Sequence, residues 1–325
     1  MTFKLWIAFS ALIVLAGCGA LIDQRASRAE AEAERRWPPV GQFVEVDGTP
    51  VHFVQAGRGP DLVLIHGAGG NLRDFTFSLM ERLAEDYRVT AFDRPGLGYT
   101  GRAGARYTGA FNSRAESPQV QADLLAAAAG QLGVESPVVL GHSYGGSVAM
   151  AWGLDHEAAA LVSVSGAIMP WPGSLGAQYK VLGSSLGGAA VPPFATAFVD
   201  PMNTEDVLAG IFAPQSVPEG YLEHVGPGLT LRRETLRANA RQVNGLRPHL
   251  VEMSKRYEDL QIPVELIHGD ADTTVGLEIH SAAAVEVLPD AELTVLPGVG
   301  HMPHHAREGA VVEAVHRAAR RAGLR

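Results

Sequence analysis

Cysteine occurs once in 325 residues, at Cys18, so no disulfide can form within the chain. Basic residues are thinly spread as well: 26 Lys and Arg stand against 35 Asp and Glu, for a formal net charge of −9, and no basic cluster forms. Without a basic stripe the chain lacks the electrostatic footprint of a phosphate-backbone binder, and nucleic acid is excluded as an expected partner. The acidic balance itself describes solvated surface and names no substrate. What the chain does have is length and apolar content: 46% of its residues are hydrophobic. That is enough for one large core with an insertion.

The most informative stretch is residues 137–150, Pro-Val-Val-Leu-Gly-His-Ser-Tyr-Gly-Gly-Ser-Val-Ala-Met. Val138, Val139 and Leu140 form a short run apolar on every side, as expected of a strand buried on both faces of a parallel sheet. A helical pattern starts at Tyr144, and between strand and helix stands Gly141-His142-Ser143-Tyr144-Gly145. A G-x-S-x-G on so sharp a turn holds its serine in a strained conformation with Oγ exposed. The flanking glycines are required because a Cβ would collide across the turn. The new helix also turns its free N–H groups toward any oxyanion formed there. A second match, Gly183-Ser184-Ser185-Leu186-Gly187, follows Tyr179-Lys180-Val181-Leu182, a poor buried strand. Ser185 is therefore read as a chance match in a mobile segment, and Ser143 as the nucleophile.

The first 18 residues read as an export signal, with Lys4 as the charged region and residues 5–15 as the apolar region. The closing Leu15-Ala16-Gly17-Cys18 resembles the lipobox of bacterial lipoproteins. That resemblance implies lipidation of Cys18, removal of residues 1–17, and, with Gly19 after the cysteine, outer-membrane sorting. The alternative is an uncleaved membrane anchor, since residues 5–22 are barely long enough to span a bilayer. Either reading gives an exported, membrane-associated chain. Residues 18–38 then form a tether or short helix, ended by Pro38-Pro39.

Along the chain, residues 43–46 and 51–54 flank Asp47-Gly48 as a hairpin, and residues 62–65 form a buried strand. That strand runs into His66-Gly67-Ala68-Gly69-Gly70-Asn71, a turn whose backbone can approach a ligand closely. The amide of Ala68 is a candidate for one half of an oxyanion hole, with that of Tyr144 as the other. Strands at 87–92, 161–164, 263–267 and 291–296 and helices at 117–132 and 308–321 complete the pattern. Strands and helices alternating at this spacing mean a mostly parallel α/β sheet. Residues 170–255 break that rhythm, first Pro- and Gly-rich, then helical near 203–212 and 231–244.

His66-Gly67-x-Gly-Gly, Asp93-Arg94-Pro95-Gly96-x-Gly98, the Ser143 turn, Gly269-Asp270-Ala271-Asp272 and Gly298-Val299-Gly300-His301 occur in that order. Over residues 43–325 the chain resembles the α/β-hydrolase family. The resemblance implies a mostly parallel eight-stranded sheet flanked by helices, with a core of residues 39–169 and 256–325. It also implies a helical lid, residues 170–255, inserted after the sixth strand. Trp171, Tyr179, Phe194, Phe198, Met202, Phe212 and Tyr221 are candidates to line an apolar acyl pocket, two or three of them touching substrate.

A serine needs an imidazole to take its proton, and the imidazole needs a carboxylate to fix its tautomer. In this family the order is Ser, acid, His, which Ser143, Asp272 and His301 satisfy. Asp270 is the rival acid, and the family's G-x-x-D pattern selects Asp272. His66 and His142 lie in turns beside the site. His304 and His305 are expected to be solvated loop histidines at its rim, and no metal or other cofactor is expected. Serine at the turn disfavours the dehalogenase and epoxide-hydrolase chemistries of the fold, which use Asp there. The expected activity is carboxylic-ester hydrolysis of a small-molecule acyl substrate. A C–C hydrolase, an amidase or a cofactor-free haloperoxidase-like enzyme with the same triad remains open, as does a non-catalytic binding protein on this fold. Oligomeric state and substrate are not readable from the residues.

Overall fold

A computed structural model describes residues 2–325, with side chains described at Trp6 and from Gly17 onward. Helix α1 (Thr2–Arg36) leads into the hairpin β1 (Gln42–Val46) and β2 (Thr49–Ala56), turned at Asp47 and Gly48, both with positive φ. The chain continues through β3 (Asp61–Ile65), α2 (Arg73–Thr76), α3 (Leu79–Leu83), β4 (Arg88–Phe92) and α4 (Pro118–Gln131). Ser117 caps α4 by accepting from the Val120 amide, and Pro118 occupies its first turn. Next come β5 (Val138–His142), α5 (Tyr144–Asp155) and β6 (Ala160–Val164).

Between β6 and the next strand lies a helical insertion. It comprises α6 (Ala177–Gly183), α7 (Ser185–Phe198), α8 (Glu205–Phe212), α9 (Tyr221–Val225), α10 (Pro227–Thr230) and α11 (Arg233–Met253). The sheet resumes with β7 (Val264–Gly269), followed by α12 (Ser281–Val285), β8 (Ala291–Leu296), α13 (Pro303–Ala306) and α14 (Glu308–Arg321). The eight strands run in the order β1-β2-β4-β3-β5-β6-β7-β8. The two pairings made by β2 are antiparallel and the rest parallel. This is the α/β-hydrolase fold.

The all-apolar strands are buried on both faces because helices cover both. On one side Val63, Ile65, Val139 and Leu161 pack with α4 and α5; on the other Leu62, Leu64, Leu140 and Val162 pack with α3 and α14. Residues 160–164 and 138–142 are buried throughout, so the C-terminal ends of β5 and β6 reach the site from a rigid base.

Three expectations change. Residues 179–182 are helical in α6, and Ser185 opens α7, so the second G-x-S-x-G lies at a helix-to-helix junction within ordered structure. Of the Pro- and Gly-rich start of the insertion, residues 170–176 are non-helical, but residues 185–198 form α7 even across Pro192-Pro193. The expected tether or short helix is instead the end of one long helix, α1, which runs to Arg36 and docks on the insertion. Trp37 is buried, its Nε1–H donating to the Glu223 carbonyl at 2.7 Å, and Arg233 pairs with Glu30 at 2.6 Å. The export-signal assignment falls, apart from Trp6, Gly17 and Cys18, on side chains outside the described residues. Among the described residues, no single helix is long and apolar enough to cross a membrane by itself.

Candidate active site

Ser143 stands between β5 and α5 at φ 53 and ψ −120, a strained conformation for a residue with a Cβ. The turn fits because its neighbours lack side chains. A Cβ on Gly141 would lie 2.1 Å from the Gly145 carbonyl oxygen, and one on Gly145 would lie 2.1 Å from that of Ile65. Glycine is thus required at both positions.

The Oγ of Ser143 donates to Nε2 of His301 at 2.9 Å, and Nδ1 of His301 donates to Oδ2 of Asp272 at 2.7 Å. Three residues from three strand ends (β5, β7 and β8) meet in one chain of hydrogen bonds. Burial would raise the Asp272 pKa. Hydrogen bonds from His268 and His301 outweigh that and hold it well below the ordinary carboxylate range, so it stays ionised. Its Oδ1 is fixed by the amides of Thr274 and Val275 at 2.8 and 2.9 Å. Asp270 points elsewhere, accepting from the Gly298 amide at 2.6 Å.

Ala68 lines the cavity above Ser143, while Tyr144 opens α5, whose first-turn amides have no acceptor within the helix. Gly67 closes the gap between the two turns: a Cβ there would lie 3.1 Å from that of Ser143. Beneath α5, Arg94 is fully buried with its guanidinium 4.2 Å from the Tyr144 ring centre, and burial lowers its pKa to about 10.

The histidines expected at the solvated rim are not there. His304 is fully buried and donates to Asp74 Oδ2 at 3.1 Å, while His305 donates to Oδ1 at 2.8 Å. The Tyr221 hydroxyl adds a third donor at 2.7 Å. Asp74 is buried too. Burial would raise its pKa, but His304 and His305 hold it well below the ordinary value. The reason is geometric: α13 folds these residues back under α2 instead of out to solvent. Sequence reasoning missed Asp74 because nothing in Arg73-Asp74-Phe75 marks it. His268 was equally unmarked, although it directly precedes the acid's Gly269-Asp270-Ala271-Asp272 segment. Its Nε2 lies 3.2 Å from Asp272 Oδ2 and its Nδ1 accepts from Ser281 Oγ at 2.8 Å.

Asp74, His142 and His304 place potential ligand atoms within 4.8 Å of one another, the one such group among the described residues. The Asp74 oxygens already accept from His304, His305 and Tyr221, which fits a structural node better than a metal cradle.

Above Ser143 and His301 is a cavity of about 430 Å³, within the range of small-molecule sites. Its walls are largely apolar, with Val207, Leu208, Ile211, Val225, Leu231 and Met302 contributed mostly by the insertion. Of the seven residues expected to line an acyl pocket, Tyr179 and Tyr221 do so. Phe212 packs behind Tyr221, Met202 packs beside Trp37, and Trp171 lies against the core. Phe194 and Phe198 are exposed, 53% and 57%. The insertion is tied to the glycine-rich loop: Asn239 Oδ1 accepts from the Gly69 amide at 2.7 Å, and Thr230 Oγ1 donates to the Gly69 carbonyl at 2.8 Å.

This fold and site define a class, and comparison with known proteins agrees. The alpha/beta hydrolase family model matches residues 62–314, and the chain belongs to that family. An uncharacterized protein of Mycobacterium tuberculosis is 27% identical over 86% of this chain and 81% of its own length. Among solved structures, a bacterial membrane phospholipase A superposes with a TM-score of 0.62 at 19% identity, over 99% of both chains. An esterase from Rhodococcus superposes with a TM-score of 0.64 at 24% identity, over 86% of this chain and 98% of its own.

Proposed function

We propose that this chain is a membrane-tethered serine hydrolase that cleaves a carboxylic ester through a Ser143 acyl-enzyme. The observation that carries the reading is the hydrogen-bonded relay Ser143–His301–Asp272 at the floor of an apolar cavity. As Ser143 Oγ attacks the ester carbonyl, its proton passes to Nε2 of His301, and ionised Asp272 stabilises the imidazolium. The amides of Ala68 and Tyr144 hold the oxyanion. Collapse breaks the bond to the alkoxy group, which leaves with the proton from His301 as an alcohol. Water then gives a proton to His301 and its hydroxide to the acyl carbon, and Ser143 recovers its proton as the acid is released.

The helical insertion acts as the lid, its apolar residues over Ser143 holding the acyl chain. Cys18, exposed on α1, is the lipidation site of an exported lipoprotein. The likeness to a membrane phospholipase A extends over 99% of the chain, a span that includes α1. Fluorophosphonate labelling with a panel of p-nitrophenyl esters of rising chain length tests the chemistry. Labelling lost in Ser143→Ala and turnover on at least one ester are expected. Labelling without any ester turnover would move the reading to C–C or amide bonds. Mass spectrometry of the mature amino terminus tests the anchor, with a lipid-modified Cys18 as the expected first residue.

A further inference from the structure

Helix α7 is apolar on both sides. Its inner side is covered, with Pro192, Thr196 and Ala197 buried. Its outer side carries Leu186, Ala190, Phe194 and Phe198, spaced by four and so aligned along one face. Leu186 is 76% exposed, and the Phe194 and Phe198 rings stack with centres 6.3 Å apart. A helix that is hydrophobic all round belongs in a core or against lipid, and soluble monomers rarely leave so continuous a stripe in water. What covers this one is indicated by α1. Residues 17–21 of that helix are exposed, and farther along it packs against α7. There Arg25 Nε donates to the Ala197 carbonyl at 2.6 Å, its guanidinium 4.7 Å from the Phe198 ring centre. Exposed Leu21 borders the same surface hollow as Phe198. Leu21 lies one helical turn, about 5 Å, from Cys18.

We infer that the α7 stripe docks into the surface of a lipid bilayer, so that the lid is half-embedded in the leaflet that anchors the chain. This rests on the proposed tether, since a membrane held at Cys18 or along the apolar residues before it lies within reach of the stripe. Leu186, Phe194 and Phe198 enter the acyl boundary, while Arg25 and Arg28 sit at headgroup level, the arrangement of an interfacial helix. The docking also sets the substrate's route. Val207 of α8 lines the cavity and is 64% exposed, which places an opening of the cavity on the insertion's outer surface. In the proposed docking, an acyl ester held in the leaflet by its chain enters the cavity through that opening.

The test uses the full chain in vesicles of phosphatidylethanolamine and phosphatidylglycerol doped with a diazirine-bearing phospholipid. Photolabelled peptides are mapped by mass spectrometry. Adducts on residues 185–198 as well as on α1, removed from 185–198 by L186S/F194S/F198S, are expected. The same triple variant, still in the membrane fraction, should hydrolyse vesicle-borne ester about ten-fold more slowly or worse and leave a water-soluble ester unaffected. Adducts confined to α1 would leave the tether standing and overturn the docking. A chain absent from the membrane fraction and without adducts would overturn both. Crosslinks joining α7 to α7 of a second chain would overturn the lipid assignment in favour of a dimer.

Discussion

The imidazole of His142 donates from Nε2 to the backbone carbonyl of His301 at 2.9 Å, tying the residue before Ser143 to one 159 positions later. Burial, reinforced by His304 and His301, holds the His142 pKa well below its ordinary value, so the ring is neutral. With Nε2–H spent on the carbonyl, Nδ1 is a buried acceptor 3.9 Å from Asp74 Oδ2. His142 is therefore a positioning residue: it fixes the height of the His301 loop over Ser143. His142→Ala is expected to lower kcat by about ten- to a hundred-fold with KM nearly unchanged, because a small misplacement weakens only the reacting geometry. His142→Gln, which can present an N–H to the same carbonyl, should recover much of the loss. Equal kcat for wild type and His142→Ala on p-nitrophenyl esters would remove this role.

The relay itself makes a stronger prediction. Ser143→Ala, His301→Ala and Asp272→Asn should each lower kcat by about ten-thousand-fold, and combining two should add little, since the three act as a unit. Asp272→Asn should be folded but inactive, because an amide cannot stabilise the imidazolium. Ser185→Ala should match wild type, since Ser185 lies in the first turn of α7 without a histidine partner. Phosphonate labelling that survived in Ser143→Ala would place the nucleophile elsewhere.

Two buried histidines predict an acid-sensitive fold. Burial, with Arg94 adding to it, lowers the His66 pKa to about 4, and burial with His268 does the same for His280. For His66 the geometry agrees: Nδ1 donates to the Gly67 carbonyl and Nε2 accepts from the Arg94 amide at 3.0 Å, a bond that a proton on Nε2 would abolish. The unfolded chain takes up these protons near pH 6.5, the native chain only near 4. The unfolded state thus binds more protons in that window, and stability must fall as pH drops through it. Thermal unfolding should show Tm declining between about pH 6.5 and 4. His66→Gln should start from a lower Tm but lose less across the window. Parallel declines for the two proteins would exclude His66 as a contributor.

The parts legible in the sequence were those fixed by local rules. Apolar runs such as Val138-Val139-Leu140 and Leu62-Val63-Leu64-Ile65 cannot face water, so they had to be buried strands. Glycines around Ser143 had to mark a turn without room for a Cβ. Asp272 and His301 were legible only through the family resemblance, whose motifs put an acid and a base after two successive strands; strand position alone does not separate Asp272 from Asp270. Asp74, His268 and the inward turn of His304 and His305 were not legible, because each owes its role to a partner brought close by tertiary folding. The α7 helix was misread for a related reason: two prolines and two glycines weaken local helix signals, whereas packing against α1 and α11 stabilises the helix in place. Phe194 and Phe198 looked like pocket residues because composition cannot tell an inner face from an outer one.

The docking of α1 can be tested apart from any membrane. Trp37 is 4% exposed and lies against α9 and α10, where Gly226 and Gly228 leave room for its ring. A Cβ on Gly228 would stand 2.6 Å from the indole, and one on Gly226 would stand 2.8 Å from it. Trp37→Ala removes that packing together with the bond to the Glu223 carbonyl, and is expected to cost about 3–5 kcal/mol. The adjacent Arg36–Glu223 pair is exposed, so Arg36→Ala should leave Tm essentially unchanged. The loss at Trp37 should also reach the site, because α9 and α10 supply Val225, Pro227 and Thr230 to the cavity wall. Trp37→Ala should therefore raise KM for longer acyl esters more than for short ones, while the relay at Ser143 keeps its chemistry. A Trp37→Ala protein with wild-type Tm would show that α1 merely rests on the insertion. One with lower Tm and unchanged KM would show that its packing stops short of the cavity.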